Sequence, residues 1–342
     1  MSSSIVTNKT YNSPLLMGIL NFLSRDSSAK RNRTFLLNLI LPIVAIFAFL
    51  ILWSFSAQNI VTSLGVFPGP TQVWSQAITL YDEHKEERVK EAAFYERIEK
   101  RIEKAVVAGK SEEKINKLKN RQYTGKETFL DQTFTSLYTV MVGFLLGSLI
   151  AIPIGIIAGM NSLIYTAINP IVQILKPISP LAWLPLVTMV VSALYVSNDP
   201  MFSKSFVTSA LTVTLCSLWP TLINTTVGVS TVDKDLINVS RVIRLSWITK
   251  TIKIILPSSI PMMFTGLRLS LGISWMVLIA AEMLAQNPGL GKFVWDEFQN
   301  GSSDSLARIM TAVFVIGFIG FLLDRVMLQL QRFFSWDKST AN

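Results

Sequence analysis

Charge is scarce along most of this chain, so the few charged and hydrogen-bonding residues inside its apolar stretches are the ones that could do chemistry. Arg268 lies eleven residues beyond Pro257, about 16 Å along a helix rising 1.5 Å per residue. That depth is near the middle of a bilayer, where an unpaired guanidinium is costly. Such a group either lines a path and lowers the barrier for a small anion, or satisfies backbone carbonyls and bridges helices. Glu282, further along the same stretch, is too distant to pair with Arg268 directly. It reads as a pathway group or as a carboxylate that caps or orders a loop near Asn287. Trp219 and Pro220 mark a kink, after which Asn224, Thr225 and Thr226 bring amide and hydroxyl donors into another apolar stretch. Donors of that kind can pass a weakly hydrated planar anion without trapping it, or can bond neighbouring helices.

The same inventory excludes much else. The 342 residues include one His (His84) and one Cys, which rules out multi-His zinc motifs, Cys-based metal sites and an intrachain disulfide framework. Neither G-x-x-x-x-G-K-[ST] nor G-x-S-x-G occurs, so P-loop nucleotide hydrolysis and a Ser-His-Asp hydrolase are both excluded. No catalytic site, metal or cofactor is expected on this chain. Carboxylates inside the apolar stretches are few: Glu282, and Asp324 beside Arg325 at a span end. A proton-driven carrier strings several ionisable groups through its spans; uphill movement here would draw its energy from a partner.

What must position these residues is a membrane. Half the residues are hydrophobic, 15% are charged and the mean hydropathy is +0.45, against about 25% charged in soluble domains. Residues 82–127 hold 13 Lys/Arg and 11 Asp/Glu, and the remainder is more apolar still. Six stretches approach the roughly 20 residues a spanning helix needs: 35–57, 134–159, 165–195, 206–229, 257–284 and 307–328. Pro170, Pro177, Pro180 and Pro185 interrupt the third, which predicts a broken span or two shorter helices. The expected fold is an all-α polytopic membrane protein of about six transmembrane helices, with a charged helical insert between the first two.

Lys/Arg bias sets the orientation. Arg25, Lys30, Arg31 and Arg33 precede the first span; Lys234, Arg241, Arg244, Lys250 and Lys253 sit between the fourth and fifth; Arg325, Arg332 and Lys338 close the chain. Six crossings put all three groups on the cytoplasmic side, so the net charge of +9 marks topology and does not call for nucleic acid. The expected divisions are a cytoplasmic segment 1–34, a first helix 35–57, an extracytoplasmic segment 58–133, a transmembrane core 134–328 with a cytoplasmic loop at 231–257, and a cytoplasmic tail 329–342. The N-terminus lacks a signal-peptide pattern, so the first span is expected to remain.

In the insert, Val89, Ala92, Ile98, Ile102, Ala105 and Val106 recur at helical spacing. Gly109 should end that helix and Ser111 should cap a second, giving a hairpin over 82–127. It is either a landing surface for an extracytoplasmic protein or a solvated hairpin.

Residues 231–257 read TVDKDLINVSRVIRLSWITKTIKIILP. Leu236, Val239, Val242 and Ile243 form one apolar face beside Arg241 and Arg244, and Ser246 can cap a second helix through Trp247 and Ile248 to Pro257. The result is a rigid knob, or an interfacial helix held by anionic lipid.

This loop resembles the EAA loop of ABC-transporter permeases, E-A-A-x3-G-x9-I-x-L-P. Ile254, Leu256 and Pro257 match its end; Asn238, Val239 and Ser240 stand for E-A-A, and Arg244 takes the glycine position. The run Asn238–Arg244, through Arg241 and Val242 and followed in the loop by Leu245 and Ser246, is similar over its seven residues to the nitrate/bicarbonate branch, as are FPGP at 67–70, SPLAWLPL at 179–186, WPTLINTTVG at 219–228, FTGLRLSLGISWMVLIAAEML at 264–284 and GLGKFVWD at 289–296. The resemblance covers about 35–75 and 130–330 and leaves out the charged insert. It implies an inner-membrane permease of a nitrate/sulfonate/taurine/bicarbonate importer, nitrate-type branch most similar, working as a homodimer. Its implied partners are two ABC ATPase subunits, which use ATP and Mg, and an extracytoplasmic solute-binding protein. The loop would then couple ATPase closure to transport. The alternatives from the residues are an ion-gradient-driven carrier or channel, and a membrane scaffold recruiting an extracytoplasmic partner.

Overall fold

The computed structural model describes residues 27–62, 65–109, 111–196, 202–302 and 304–334, with side chains described from Ile40 onward. Most of segment 1–34, the end of the tail from 335, Arg25 and Lys338, and part of the 196–205 loop lie outside the described residues. Pro70 marks a division into two compact units. The first holds helix α1 (Ser27–Asn59), whose stretch Ile40–Asn59 is long and apolar enough to cross a bilayer. A short antiparallel ladder follows, β1 (Val61–Thr62) with β2 (Gly65–Val66).

The second unit is helical. Helices α2 (Pro70–Val107) and α3 (Glu112–Lys119) form the insert. Helix α4 (Phe129–Met160) opens on a capping box in which Thr128 and Asp131 satisfy each other's backbone N–H groups. Helices α5 (Ser162–Leu175) and α6 (Pro180–Leu194) meet at 99°. Ser179 caps α6 and Pro180 occupies its first turn, so the expected break falls where proline is tolerated. Helix α7 (Lys204–Ser230) follows, then α8 (Lys234–Val242), α9 (Trp247–Lys250) and a π turn at Thr251–Ile255. The unit ends with α10 (Leu256–Ala285), α11 (Leu290–Asn300) and α12 (Ser305–Phe334). Among the described residues five helical stretches are long and apolar enough to span a membrane, six when the bent pair counts as one, in agreement with six expected crossings.

Helix α7 runs through the middle, between α4 and α10. Its neighbour α4 presents a glycine face: a Cβ on Gly143, Gly155 or Gly159 would stand 2.8 Å from Val213, 2.7 Å from Thr225 or 2.6 Å from Val229. The α10 side repeats the arrangement at Gly266, against Asn224 and Pro220 of α7. Small residues let backbones approach where no hydrophobic force distinguishes protein from lipid. Two α7 hydroxyls turn back on their own helix, Thr212 to the Thr208 carbonyl and Thr226 to that of Leu222, each at 2.8 Å, while Thr214 also reaches the Gly143 carbonyl of α4 and Thr221 bonds Ser270 of α10. Toward the insert, Val140, Val213, Trp275, Leu278, Leu290 and Phe293 form the largest apolar cluster.

The insert differs from the expected hairpin. Helix α2 begins well before the charge run, so its phase is set by Val73 and Leu80; the buried series is Val73, Leu80, Glu87, Ile98 and Ala105. Val89 and Val106 stand exposed for that reason. Gly109, at φ 62°, follows the end of the helix. Ser111 does not cap α3 with its side chain; its carbonyl receives the Lys114 and Ile115 N–H groups instead. Residues 121–128 return along α2, held by Glu87, which accepts from the Tyr123 hydroxyl at 2.7 Å and the Lys126 amide at 3.1 Å.

A three-membered ion cluster fastens α2 to the core. The Arg308 guanidinium, on α12, donates to both Glu83 oxygens at 2.7 and 3.1 Å and to Glu297 of α11 at 2.6 Å. The hydrogen bond from Arg308 holds the Glu83 carboxyl below the usual carboxylate range. Because the folded pKa is the lower one, this contact adds stability above the unfolded value of about 4.3 and loses it as pH falls through the depressed value. A fluorescence-quenching pair across α2 and α12 is therefore expected to read a constant separation from neutrality to about pH 4.5 and a widening below it. In Glu83→Gln the widening is expected to disappear.

Candidate functional site

Two places gather the residues singled out above: the segment 231–257, and the interior of the spans around α10. The first is a compact knob. Asp233 accepts from the Asp235 N–H at 2.9 Å and starts α8. Helix α8 closes with the Leu245 N–H on the Ser240 carbonyl at 3.0 Å and the Arg244 N–H on the Arg241 carbonyl at 3.1 Å. This pair of bonds is a Schellman ending, whose C′ residue must be left-handed; that residue is Arg244, at φ 52°. Ser246 then caps α9 through the Thr249 N–H at 3.2 Å. The π turn at 251–255 joins α9 to α10 without a break.

The knob has two apolar sides. Val232 and Ile255 are buried with Val229 and backed by Ile237 and Ile254, which ties the knob to α7 and α10. Leu236, Val239, Val242, Ile243, Trp247 and Ile248 point the other way, each 45–81% exposed. Asn238, Arg241, Arg244, Ser246 and Pro257 are exposed with them, whereas Ser240 is buried and Leu245 and Leu256 are half-buried.

A left-handed residue other than glycine bears a cost of about 1–2 kcal/mol. Arg244→Gly is therefore expected to keep the turn and raise the thermal midpoint of the solubilised protein, by no more than about 3 °C. Arg244→Val, whose β-branch suits that backbone worst, is expected to lower it. Scanning fluorimetry of the three proteins decides the sign.

Inside the spans the structure joins residues that are far apart in sequence. Arg268 bridges to α12, its Nε and Nη2 donating to Oδ1 and Oδ2 of Asp324, the second bond at 2.8 Å. Nothing in the sequence linked Asp324 to Arg268. The pair borders a cleft of about 850 Å³ between α10 and α12, which Thr265, Gly272, Arg325 and Gln331 also line.

Glu282 is buried at 1% exposure. It accepts from the Ser136 hydroxyl of α4 at 2.8 Å and from the Gly291 N–H at 3.0 Å, while the Leu290 N–H donates to Ser136 Oγ at 2.9 Å. Gly289 and Gly291 have no room for a Cβ because the Glu282 carboxylate and the α10 backbone fill the space. Asn287 ties elsewhere, to Ser209 Oγ at 2.8 Å. The carboxylate orders the 286–291 connection and faces no cleft shared with Arg268. A Glu followed by G-L-G seven residues on was the readable signal.

The α7 residues are not brought to Arg268. Asn224 bonds the Pro220 carbonyl at 2.8 Å and packs on Gly266 of α10. Thr225 packs on Gly155 of α4, and its hydroxyl has no hydrogen-bond partner among the described residues. Trp219 lies in an apolar cluster with Ala151, Val172 and Leu222. With Thr226, which bonds the Leu222 carbonyl of its own helix, these four occupy helix contacts among the described residues. Among the described residues no group of three or more His, Cys, Asp or Glu could hold a metal ion.

Comparison with known proteins follows the same outline. Residues 151–335 match the family described as binding-protein-dependent transport system inner membrane component. The bicarbonate transport system permease protein CmpB of Synechococcus elongatus is 32% identical over 310 residues, covering 90% of this chain and 94% of that one. The nitrate import permease protein NrtB of a Synechocystis species is 39% identical over 200 residues, 58% of this chain and 68% of that one. Among solved structures, the inward-facing MetNI methionine ABC transporter superposes with a TM-score of 0.52 at 14% identity, over 60% of this chain and 95% of that chain; this likeness is one of fold.

Proposed function

Because the chain belongs to the family of binding-protein-dependent transport system inner membrane components, we propose that it forms the membrane path of an ATP-binding-cassette importer for a small planar oxyanion, nitrate first. The observation that carries this reading is the knob. Its outward apolar row, Leu236 to Ile248, is left exposed by the described residues, and its inner row fastens it to α7 and α10. A groove on an ATPase subunit would bury that row, and burial of apolar surface drives association. Two ATPase subunits closing on ATP and Mg would then displace two knobs, one from each copy of a permease homodimer. Each displacement enters α10 directly and so reaches Arg268. An extracytoplasmic binding protein would supply the anion on the side of the insert, with both chain termini in the cytoplasm.

Identity does not separate nitrate from bicarbonate, since a nitrate permease is 39% identical over 200 residues and a bicarbonate permease 38% over 202. Uptake of labelled nitrate into vesicles carrying this chain, candidate ATPases and the binding protein separates them, with bicarbonate, cyanate and taurine as competitors. ATP-dependent uptake blocked by one competitor names the substrate. Flux without ATPase or binding protein would replace the importer by a channel or gradient-driven carrier, and partner binding without flux would leave a scaffold.

A further inference from the structure

The Arg268–Asp324 pair differs from the buried network around Glu282 in one respect: it stands open. Its side chains are 40% and 36% exposed, and both line the cleft of about 850 Å³ between α10 and α12. Arg325 and Arg332 border the same cleft, with Thr265 and Gln331 among the remaining lining groups. The lining of the cleft thus carries three guanidinium groups and one carboxylate. Gly272, on the wall beside Arg268, has no atom within 4 Å of where a Cβ would be, so the space there is free.

The geometry of the pair is a fork. Arg268 offers two parallel N–H groups, and Asp324 answers with two coplanar oxygens, the arrangement in which arginine recognises planar oxyanions. Nitrate and bicarbonate present the same trigonal plane and the same pair of oxygens as a carboxylate.

We infer that Asp324 is a built-in occupant of an anion site, its carboxylate holding the fork of Arg268 that the transported oxyanion takes when α10 and α12 part. This inference rests on the importer reading and supplies the site that reading lacks. The occupant solves two problems at once. Between turnovers it spares the membrane an unpaired guanidinium. On its return it displaces the anion, so that a strongly cationic cleft does not become a trap; conduction requires a site that releases its ion. Because α10 is continuous with the knob, motion there would govern when the fork is vacated.

The test uses the whole transporter, with ATPase subunits and binding protein, and measures two quantities: equilibrium binding of labelled nitrate and bicarbonate to the ATP-free permease–ATPase complex, and ATP-driven uptake. Asp324→Asn is expected to tighten anion binding at least tenfold and to slow uptake at least tenfold, because the site is vacant but no longer cleared. In the double variant Arg268→Gln with Asp324→Asn neither member of the bridge is left as a lone charge, and its fold is expected to be retained. Binding and uptake are both expected to be lost there. A merely structural bridge predicts the opposite pattern, with no gain in anion binding for Asp324→Asn and near-normal uptake in the neutral double variant; either result overturns the inference. If Asp324→Asn fails to fold, the double variant decides alone. A wild-type complex that takes up neither anion with ATP removes the importer reading and this inference with it, whereas an active wild type with unchanged binding in Asp324→Asn removes only the inference.

Discussion

Replacing Val239 and Val242 with aspartate is expected to lower ATP-driven uptake by about 100-fold or more while leaving the folded protein intact. Burying a valine side chain contributes about 1.5–3 kcal/mol, so removing two from a docked interface weakens it by at least two factors of ten. Each aspartate would in addition be a desolvated charge within the groove. The chain itself should tolerate the change, because the two side chains are 55% and 81% exposed and surface substitutions usually stay within about 0.5 kcal/mol. Three measurements separate the outcomes: the amount of monodisperse permease, co-purification of the ATPase subunits, and solute-stimulated ATP hydrolysis. Normal uptake in the double variant would refute the coupling role of the knob.

The second large effect is steric. Gly155→Leu should collapse the yield of folded protein, since even the first carbon of the new side chain would sit 2.7 Å from Thr225 Cβ and 2.9 Å from the Leu222 carbonyl oxygen. Helix α4 cannot step back locally, because Gly143 and Gly159 hold it against α7 at both ends of the same face. Overpacking costs about 1–3 kcal/mol where the surroundings can relax and more where two backbones are in contact. A drop of about 10 °C in the midpoint for loss of the monodisperse species is expected. Gly317→Leu is the matched control: nothing lies within 4 Å of its Cβ position, and its midpoint should stay within about 2 °C of wild type.

These cases show which features the residues disclosed and which they withheld. Length and apolarity located every span, and the prolines at 170–185 located the break, because both are local properties of the backbone in lipid. The glycine face of α4 is of the same local kind, a spacing of Gly143, Gly147, Gly155 and Gly159 along one helix. Partnerships across helices were not. Arg268 with Asp324 and Glu282 with Ser136 are separated by 56 and 146 residues, and their meeting depends on how helices cross. Consecutive residues point about 100° apart on a helix, so Asn224, Thr225 and Thr226, three in a row, serve different neighbours. In the insert, the density of charge hid that Val73 and Leu80 had already set the phase of α2.

The π turn at Thr251–Ile255 has a consequence for direction. A π turn is in effect one residue inserted into an α-helix, and each residue of an α-helix turns the chain by about 100°. The bearing on which the knob displays Trp247 and Ile248, relative to the side of α10 that carries Arg268, is therefore set by a count of residues. An α-helical run one residue shorter would connect the same elements and aim them about a quarter-turn apart. Angular register between the contact made outside the membrane and the charge held within it is thus fixed by one supernumerary residue, much as the index tooth of a gear fixes the timing of two shafts.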